Sequence, residues 1–182
     1  MPQNSYIAST CCQWRQLPKD FPPCSTVQGY FHAWPRGGTF AALNHTLVMA
    51  SREAAGREAS PAAGVIDGQP VKTTESGGPR GYDAGKKIKG RKRHIFADGG
   101  YAGAKLREAL KRMGEWTIEI IKRSDTAQGF EVLPRRWVVE RTFAWLGRCR
   151  RLAKDFEAAI ASAVAWALVA HIRTLTRRLA RA

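Results

Sequence analysis

The chain has 182 residues, enough for one domain or two small ones, and 44% of them are hydrophobic, which is sufficient for a folded core. Thirty lysines and arginines stand against 15 acidic residues, so the net charge of +15 predicts a polyanionic partner: DNA, RNA or an anionic membrane surface. The longest apolar run, 158–172, is shorter than the ~20 residues of a membrane-spanning helix, and the N-terminal segment lacks the features of a secretory signal. We therefore expect a cytoplasmic protein without a membrane partner.

Two helices are predicted near the N-terminus. The first has Ser25 as its capping residue and continues to about Trp34, and Pro35 with the two glycines after it ends the helix. The second begins at Thr39 and continues to about Glu58. Two helices joined by a short glycine turn are typical of a helix-turn-helix and equally of a plain helical hairpin, so both interpretations stay open.

The next elements are a short strand and a cationic stretch. The strand is predicted over 64–69 and carries Asp67; Pro70 lacks a backbone N–H, so it should close that strand or lie on a sheet edge. The stretch 73–93 is rich in glycine and basic residues and shows no burial pattern. It is predicted to be a mobile loop that faces DNA, with a solvated linker as the alternative.

The second half of the chain alternates strands and helices. The predicted elements are a strand at 94–98, a helix at about 102–113, a strand at 117–122, a helix from 136 to about 152 and a final helix at 157–179. In the final helix, apolar residues recur at four-residue steps and predict its apolar face: Ile160, Val164, Leu168 and Ile172.

Glu140 is the most unusual residue of the 134–152 segment, because it is a single carboxylate in an apolar pattern crowded with arginines. A helix there would offer an apolar stripe and an arginine-rich stripe, with Glu140 at their border. Two aspartates precede it in apolar, strand-like settings, Asp67 in GVIDGQPVK and Asp98 in HIFADGGYAG. Together the three carboxylates could bind a divalent metal ion.

The order Asp, Asp, Glu resembles the DDE transposases of bacterial insertion sequences, most closely the insertion-sequence-five type. The resemblance covers nearly the whole chain and rests on four runs: CQWRQLPKDFPP, VKTTESGGPRGYDAGKKIKGRKRHI, ADGGYAG and LPRRWVVERTFAWLGRCRRLAKDFE. It implies a transposase that cuts and joins DNA at transposon ends in a ribonuclease-H-like catalytic domain with two Mg²⁺ or Mn²⁺ ions. DNA is then the partner, at the transposon ends and at the target, and a homodimer on DNA is a candidate assembly.

The resemblance also assigns roles to residues. Asp67 would hold both ions, Asp98 would support one and Glu140 the other, so these three are the candidate catalytic residues and metal ligands. The candidate DNA contacts come from the cationic stretch and from the arginines near Glu140: Lys86, Lys87, Lys89, Arg91, Lys92, Arg93, Arg136, Arg141 and Arg148.

These elements predict an α/β (α+β) chain in three regions. The first, 1–60, is a helical DNA-binding region that looks shortened beside the family; 61–155 is the remnant of a ribonuclease-H-like fold with few strands; 156–182 is a C-terminal helix. Asp67 and Asp98 are only 31 positions apart. A ribonuclease-H-like sheet normally places two antiparallel strands and a helix between these positions, so we expect an internal deletion.

The deletion leaves two questions open. The strand at 94–98 would pair with 64–69 antiparallel if it is the old second strand, and parallel if it is the old fourth strand. The chain itself would be an active transposase or an inactive DNA-binding remnant. A basic nucleic-acid-packaging protein would explain the charge, but not the three carboxylates at the family's positions.

Overall fold

The computed structural model describes residues 3–60, 67–75, 77–95 and 136–182, with the backbone alone at 67–69, 92–95, 136, 138 and 139. Within these residues the helices are α1 (Gln3–Thr10), α2 (Cys24–Arg36), α3 (Thr39–Glu53), α4 (Arg136–Gly147) and α5 (Ile160–Leu179), with 3₁₀ turns at Trp14–Gln16 and Arg150–Leu152. The strands are β1 (Asp67–Lys72), β2 (Gly81–Asp83) and β3 (Ile88–Ile95). Helices with a small sheet confirm the α+β class. The predicted elements between 98 and 122 lie outside the described residues.

The chain divides into two compact units. The first consists of Met1–Pro61, Pro70–Arg91 and Ala144–Ala182, and the second of Ala62–Gln69 and Lys92–Phe143. The first unit therefore contains most of the described residues.

An aromatic cluster around α5 forms the core of the first unit, because α1, α2 and α3 all pack on this helix. Trp166 of α5 is fully buried and stacks on Phe31 of α2, with ring centroids 4.3 Å apart. Trp14 lies 5.7 Å from Trp166, and Phe40 of α3 lies 6.2 Å from Phe31. Each such pair contributes ~0.5–1.5 kcal/mol beyond the burial of its area.

The predicted apolar face of the last helix is wrong. Ile160 and Val164 are 71% and 53% exposed, whereas the buried residues of α5 are Ala165, Trp166, Val169, Ala170 and Leu175. The helix carries two apolar stripes, and packing selects the one in which small alanines lie beside the large indole of Trp166. The helix also begins at Ile160 rather than at 157.

The N-terminal helices differ from the prediction at their starts. The structure adds α1, whose polar residues hide any periodicity although Ile7 and Ala8 are buried. Helix α2 begins at Cys24 after Pro23, and no side chain caps it, so the capping role predicted for Ser25 is wrong. Helix α3 ends at Glu53, earlier than predicted.

The cationic stretch predicted to be a mobile loop is a β-hairpin. Strands β2 and β3 pair antiparallel, with Tyr82 opposite Lys89 and Asp83 opposite Ile88. The turn is closed by the backbone N–H of Lys86, which donates to Asp83 Oδ1 at 3.1 Å. The glycines and lysines of this stretch mask the alternation of apolar and polar residues from which a strand is recognised.

Strand β3 is the centre of the sheet, whose order is β1-β3-β2 and whose strands are antiparallel. The strand predicted at 94–98 is described only in part, as the end of β3. It is antiparallel to β1, which corresponds to the alternative of an old second strand. Pro70 lies in β1, at the edge of the described sheet, where a missing N–H is tolerated. Gly90 is required beside β1, since a Cβ there would overlap the carbonyl oxygen of Val71.

Asp155 joins the hairpin to the helical core. Its carboxylate is 3% exposed and pairs with the guanidinium of Arg91 at 3.2 Å. Its backbone N–H donates to the carbonyl of Lys72 at 2.8 Å, and its carbonyl accepts from the N–H of Thr74 at 2.9 Å. Arg91 donates further to the carbonyl oxygens of Pro79 and Ala158, both at 2.9 Å. The end of β1 and the middle of β3 are thus fixed to the segment before α5.

Replacing Asp155 by alanine should destabilise the first unit strongly. The change leaves the charge of Arg91 buried without its partner, and such a loss costs ~3–5 kcal/mol. Urea unfolding followed by circular dichroism measures it. The exposed Asp20→Ala variant is the control, with an expected change within about 0.5 kcal/mol. An equal effect of both substitutions would contradict the anchoring role of Asp155.

His171 should make stability depend on pH. Its Nδ1 lies 2.7 Å from Asn44 Oδ1 between α5 and α3, and burial lowers its pKa below 6.5. The unfolded chain then binds more protons, so stability is retained at pH 8 and decreases as the pH falls below about 6.5 toward the folded-state pKa. Thermal melts of wild type, His171→Gln and the exposed-site control His32→Gln test this. If Tm decreases with falling pH as steeply in His171→Gln as in wild type, His171 is not the cause of the pH dependence.

Candidate functional site

Glu140 lies in the second turn of α4, within the second unit, and its side chain is exposed. Trp137, one turn earlier, is 57% exposed rather than part of a buried stripe. The guanidinium carbon of Arg141 lies 4.6 Å from the Trp137 ring centroid, a cation–π contact that fixes the arginine beside Glu140 along the helix. This turn of α4 therefore presents a carboxylate and a guanidinium to solvent.

The two aspartates are described less completely. Asp67 is the first residue of β1, and its side chain lies outside the described residues; Asp98 lies wholly outside them. In the part of the chain that the structure describes, no three His, Cys, Asp or Glu side chains group closely enough to hold a metal ion. The approach of Asp67 to Glu140 stays a prediction.

The basic residues of the hairpin fall into two groups. Lys86, Lys87 and Lys89 are exposed, the first two in the turn and the third on β3. Arg91 is largely buried instead, with a side chain 13% exposed and a guanidinium paired with Asp155. Arg148, after α4, is exposed. The side chains of Lys92, Arg93 and Arg136 lie outside the described residues.

Tyr82 is a residue of this surface that the sequence interpretation did not include. It is 66% exposed on β2 and lies directly opposite Lys89. Its signal in the sequence is the aromatic residue of the GYD triplet within a strongly cationic stretch. The hairpin therefore offers an aromatic ring as well as amines.

Cys149 is buried, whereas the other three cysteines are partly exposed. Burial raises the pKa of the Cys149 thiol, although Arg173 acts in the opposite direction, so this thiol is not activated as a nucleophile. None of the helices that the structure describes is long and apolar enough to cross a membrane.

Two family models match the chain. One, described as "Putative transposase of IS4/5 family", matches residues 5–44, which include most of α1 and the whole of α2. The other, described as "Transposase DDE domain", matches residues 93–175, which include Asp98 and Glu140. Asp67 and the tip of the hairpin lie between the two matches.

A curated protein of Burkholderia cepacia, named "Putative transposase for insertion sequence element IS402", is 44% identical to this chain over 68 residues. The match covers 37% of this chain and 31% of that relative, so the chain spans less than a third of it. No solved structure matches the chain. The two family models cover three of the four sequence runs in full, and together with the relative they support an insertion-sequence transposase of the IS4/5 type with a DDE domain.

Proposed function

We propose that this chain binds DNA and cuts and joins it at the ends of an insertion sequence. The observation that carries the proposal is the cationic hairpin, in which three exposed lysines are presented by a folded element of a DDE transposase family member. Phosphates neutralised by such amines supply the sequence-independent part of DNA affinity. The net charge of +15 acts in the same direction over longer distances.

Two further surfaces extend the DNA contact. Arg141 and Arg148 are exposed on and after α4, and Arg136 begins that helix. Helices α2 and α3, with Gly37 and Gly38 between them, would serve as the helix-turn-helix that recognises the DNA end. Their packing against each other supports a fixed angle between the two helices. The expected assembly on DNA is a homodimer.

The catalytic part of the proposal rests on the three carboxylates. Asp67, Asp98 and Glu140 would hold Mg²⁺ or Mn²⁺, because hard divalent cations prefer carboxylate oxygens. The exposed position of Glu140 fits this role, since its carboxylate is accessible to an ion and to a phosphate. Bound as a pair, such ions stabilise the attacking and leaving oxygens of a phosphodiester displacement. Arg141, held over Trp137, would orient the phosphate beside Glu140.

The sheet supports a ribonuclease-H-like interpretation of this region. Strand β1 begins with Asp67 and pairs with the longer central strand β3, and both are antiparallel. The family resemblance implies a sheet whose first strand carries the first carboxylate and is followed by antiparallel strands. Glu140 on a later helix fits the same order.

DNA binding without catalysis is the second candidate function. The observation that favours it is the spacing of 31 positions between Asp67 and Asp98: β2 and β3 supply the two expected strands, but only two residues stand between the end of β3 and Asp98, too few for the expected helix. The hairpin and the helical core of the first unit do not depend on that missing part, so DNA binding would persist.

DNA binding should depend on the three exposed hairpin lysines. With about six phosphates neutralised, the log of affinity should fall with log salt at a slope near −5, and removing three contacts should reduce the slope by about 2.7. Fluorescence anisotropy of a labelled duplex with wild type and Lys86→Ala/Lys87→Ala/Lys89→Ala measures both slopes. Arg91 is left unchanged because it holds Asp155.

The control removes the same charge elsewhere. Lys19→Ala/Arg178→Ala/Arg181→Ala changes three exposed cations outside the hairpin and should retain the wild-type slope. Equal slopes for the two triple variants would assign DNA affinity to total charge rather than to the hairpin. A wild-type slope near zero would remove DNA from the list of partners.

Cleavage should require Glu140. Glu140→Gln keeps the size of the side chain and removes its charge, so Mg²⁺-dependent cleavage of a terminal-repeat duplex should fall by at least about 100-fold, the size of one lost transition-state interaction. DNA binding should be unchanged, and the exposed Glu53→Gln variant should cleave like wild type. Cleavage by Glu140→Gln at the wild-type rate would exclude the catalytic role. DNA binding by a wild type that does not cleave would establish the second candidate.

A further inference from the structure

Tyr82 is placed differently from the aromatic rings that form the core of the first unit. Trp14, Phe31 and Trp166 contact one another in the core, whereas Tyr82 is 66% exposed on the outer strand of the sheet. A single exposed ring is common on protein surfaces. The basic residues around Tyr82, however, indicate a binding role for this ring.

The register places Tyr82 on a basic face. Residues directly opposite each other in an antiparallel pair project from the same side of the sheet, so Tyr82 shares its side with Lys89. The adjacent pair, Asp83 and Ile88, projects to the opposite side and is partly buried. One face of the hairpin thus combines an aromatic ring with an amine, and the turn beside it adds Lys86 and Lys87.

The hairpin holds this face in a fixed position. The contact of Lys86 N–H with Asp83 closes the turn, and the ion pair of Arg91 with Asp155 fixes the base of the hairpin to the helical core. Arg91 also donates to the carbonyl of Pro79, just before β2. The backbone that carries the ring is therefore already ordered, so binding costs little backbone entropy.

We propose that Tyr82 stacks on an unpaired base of DNA while Lys86, Lys87 and Lys89 bind the neighbouring phosphates. The inference rests on the proposed DNA binding and adds the form of DNA that the hairpin selects. Aromatic rings interleaved with amines bind single strands, because every base has a flat face on which a ring can stack. In an intact duplex those faces are covered by neighbouring base pairs, so a ring reaches them only at an end, a gap or an extruded nucleotide. DNA being opened or joined at its ends offers such bases.

The test compares two labelled DNA probes with the same duplex sequence, one blunt and one with a short single-stranded extension. Wild type should bind the extended probe more tightly, and Tyr82→Ala should lose about 5- to 150-fold of that affinity, the equivalent of ~1–3 kcal/mol per stacked base. Its affinity for the blunt probe should change little. Tyr82→Phe keeps the ring and should bind like wild type, whereas Tyr82→Leu keeps apolar bulk only and should behave like Tyr82→Ala.

A second measurement follows the base itself. With 2-aminopurine in the extension, stacking on Tyr82 should quench its fluorescence on binding of wild type and Tyr82→Phe but not of Tyr82→Leu. Circular dichroism melts of all variants confirm folding, and the exposed Tyr82 should leave Tm unchanged. Equal losses by Tyr82→Ala on both probes, or wild-type affinity of Tyr82→Leu for the extended probe, would overturn the inference. Absence of binding to either probe by wild type would instead refute the proposed DNA binding.

Discussion

The buried pair of Asp155 and Arg91 is the constraint on which the arrangement of the first unit depends. A two-stranded hairpin such as β2–β3 is only marginally stable by itself, and packing against other elements stabilises it. Asp155 supplies such a contact through backbone bonds to Lys72 and Thr74 as well as through its carboxylate. Since a buried charge is costly without its counterpart, both residues are needed together. The hairpin thereby becomes a rigid part of the helical unit instead of a loop.

This anchoring explains why the sequence alone described the region poorly. Arg91 lies within a run of basic residues and looks like its neighbours, and only the position of Asp155, distant in the chain, turns it inward. Its neighbour Lys89 keeps the exposed position that charge patterning suggests. Local patterns did locate the major helices and the edge position of Pro70, because helix periodicity and a missing N–H act locally. The buried face of α5 could not be predicted in this way, because it depends on which of the two apolar stripes packs against Phe31. That contact is a tertiary interaction.

The sequence predicted part of the candidate site. The family followed from long sequence runs, which the two family models and the curated relative confirm. Glu140 was recognisable as a carboxylate in an unsuitable apolar pattern, and α4 indeed presents it to solvent. Tyr82 was missed, because the aromatic residue of the GYD triplet acquires its significance only from the cross-strand neighbour Lys89. Sequence patterns thus identified the residues proposed to carry the chemistry, whereas the pairing of strands identified the residue proposed to select the form of DNA.

The first unit is built from three separate segments of the chain, and this affects how it folds during synthesis. Helices α1, α2 and α3 are synthesised early, yet the helix they pack on, α5, belongs to the last segment of that unit. Until Trp166 leaves the ribosome, Phe31 lacks the indole on which it stacks in the folded core. Folding of the unit must therefore close a chain loop longer than the whole second unit, and contacts of such sequence separation form slowly. The emerging helices α1, α2 and α3 thus expose apolar surface to chaperones, or to other nascent chains, until α5 is synthesised.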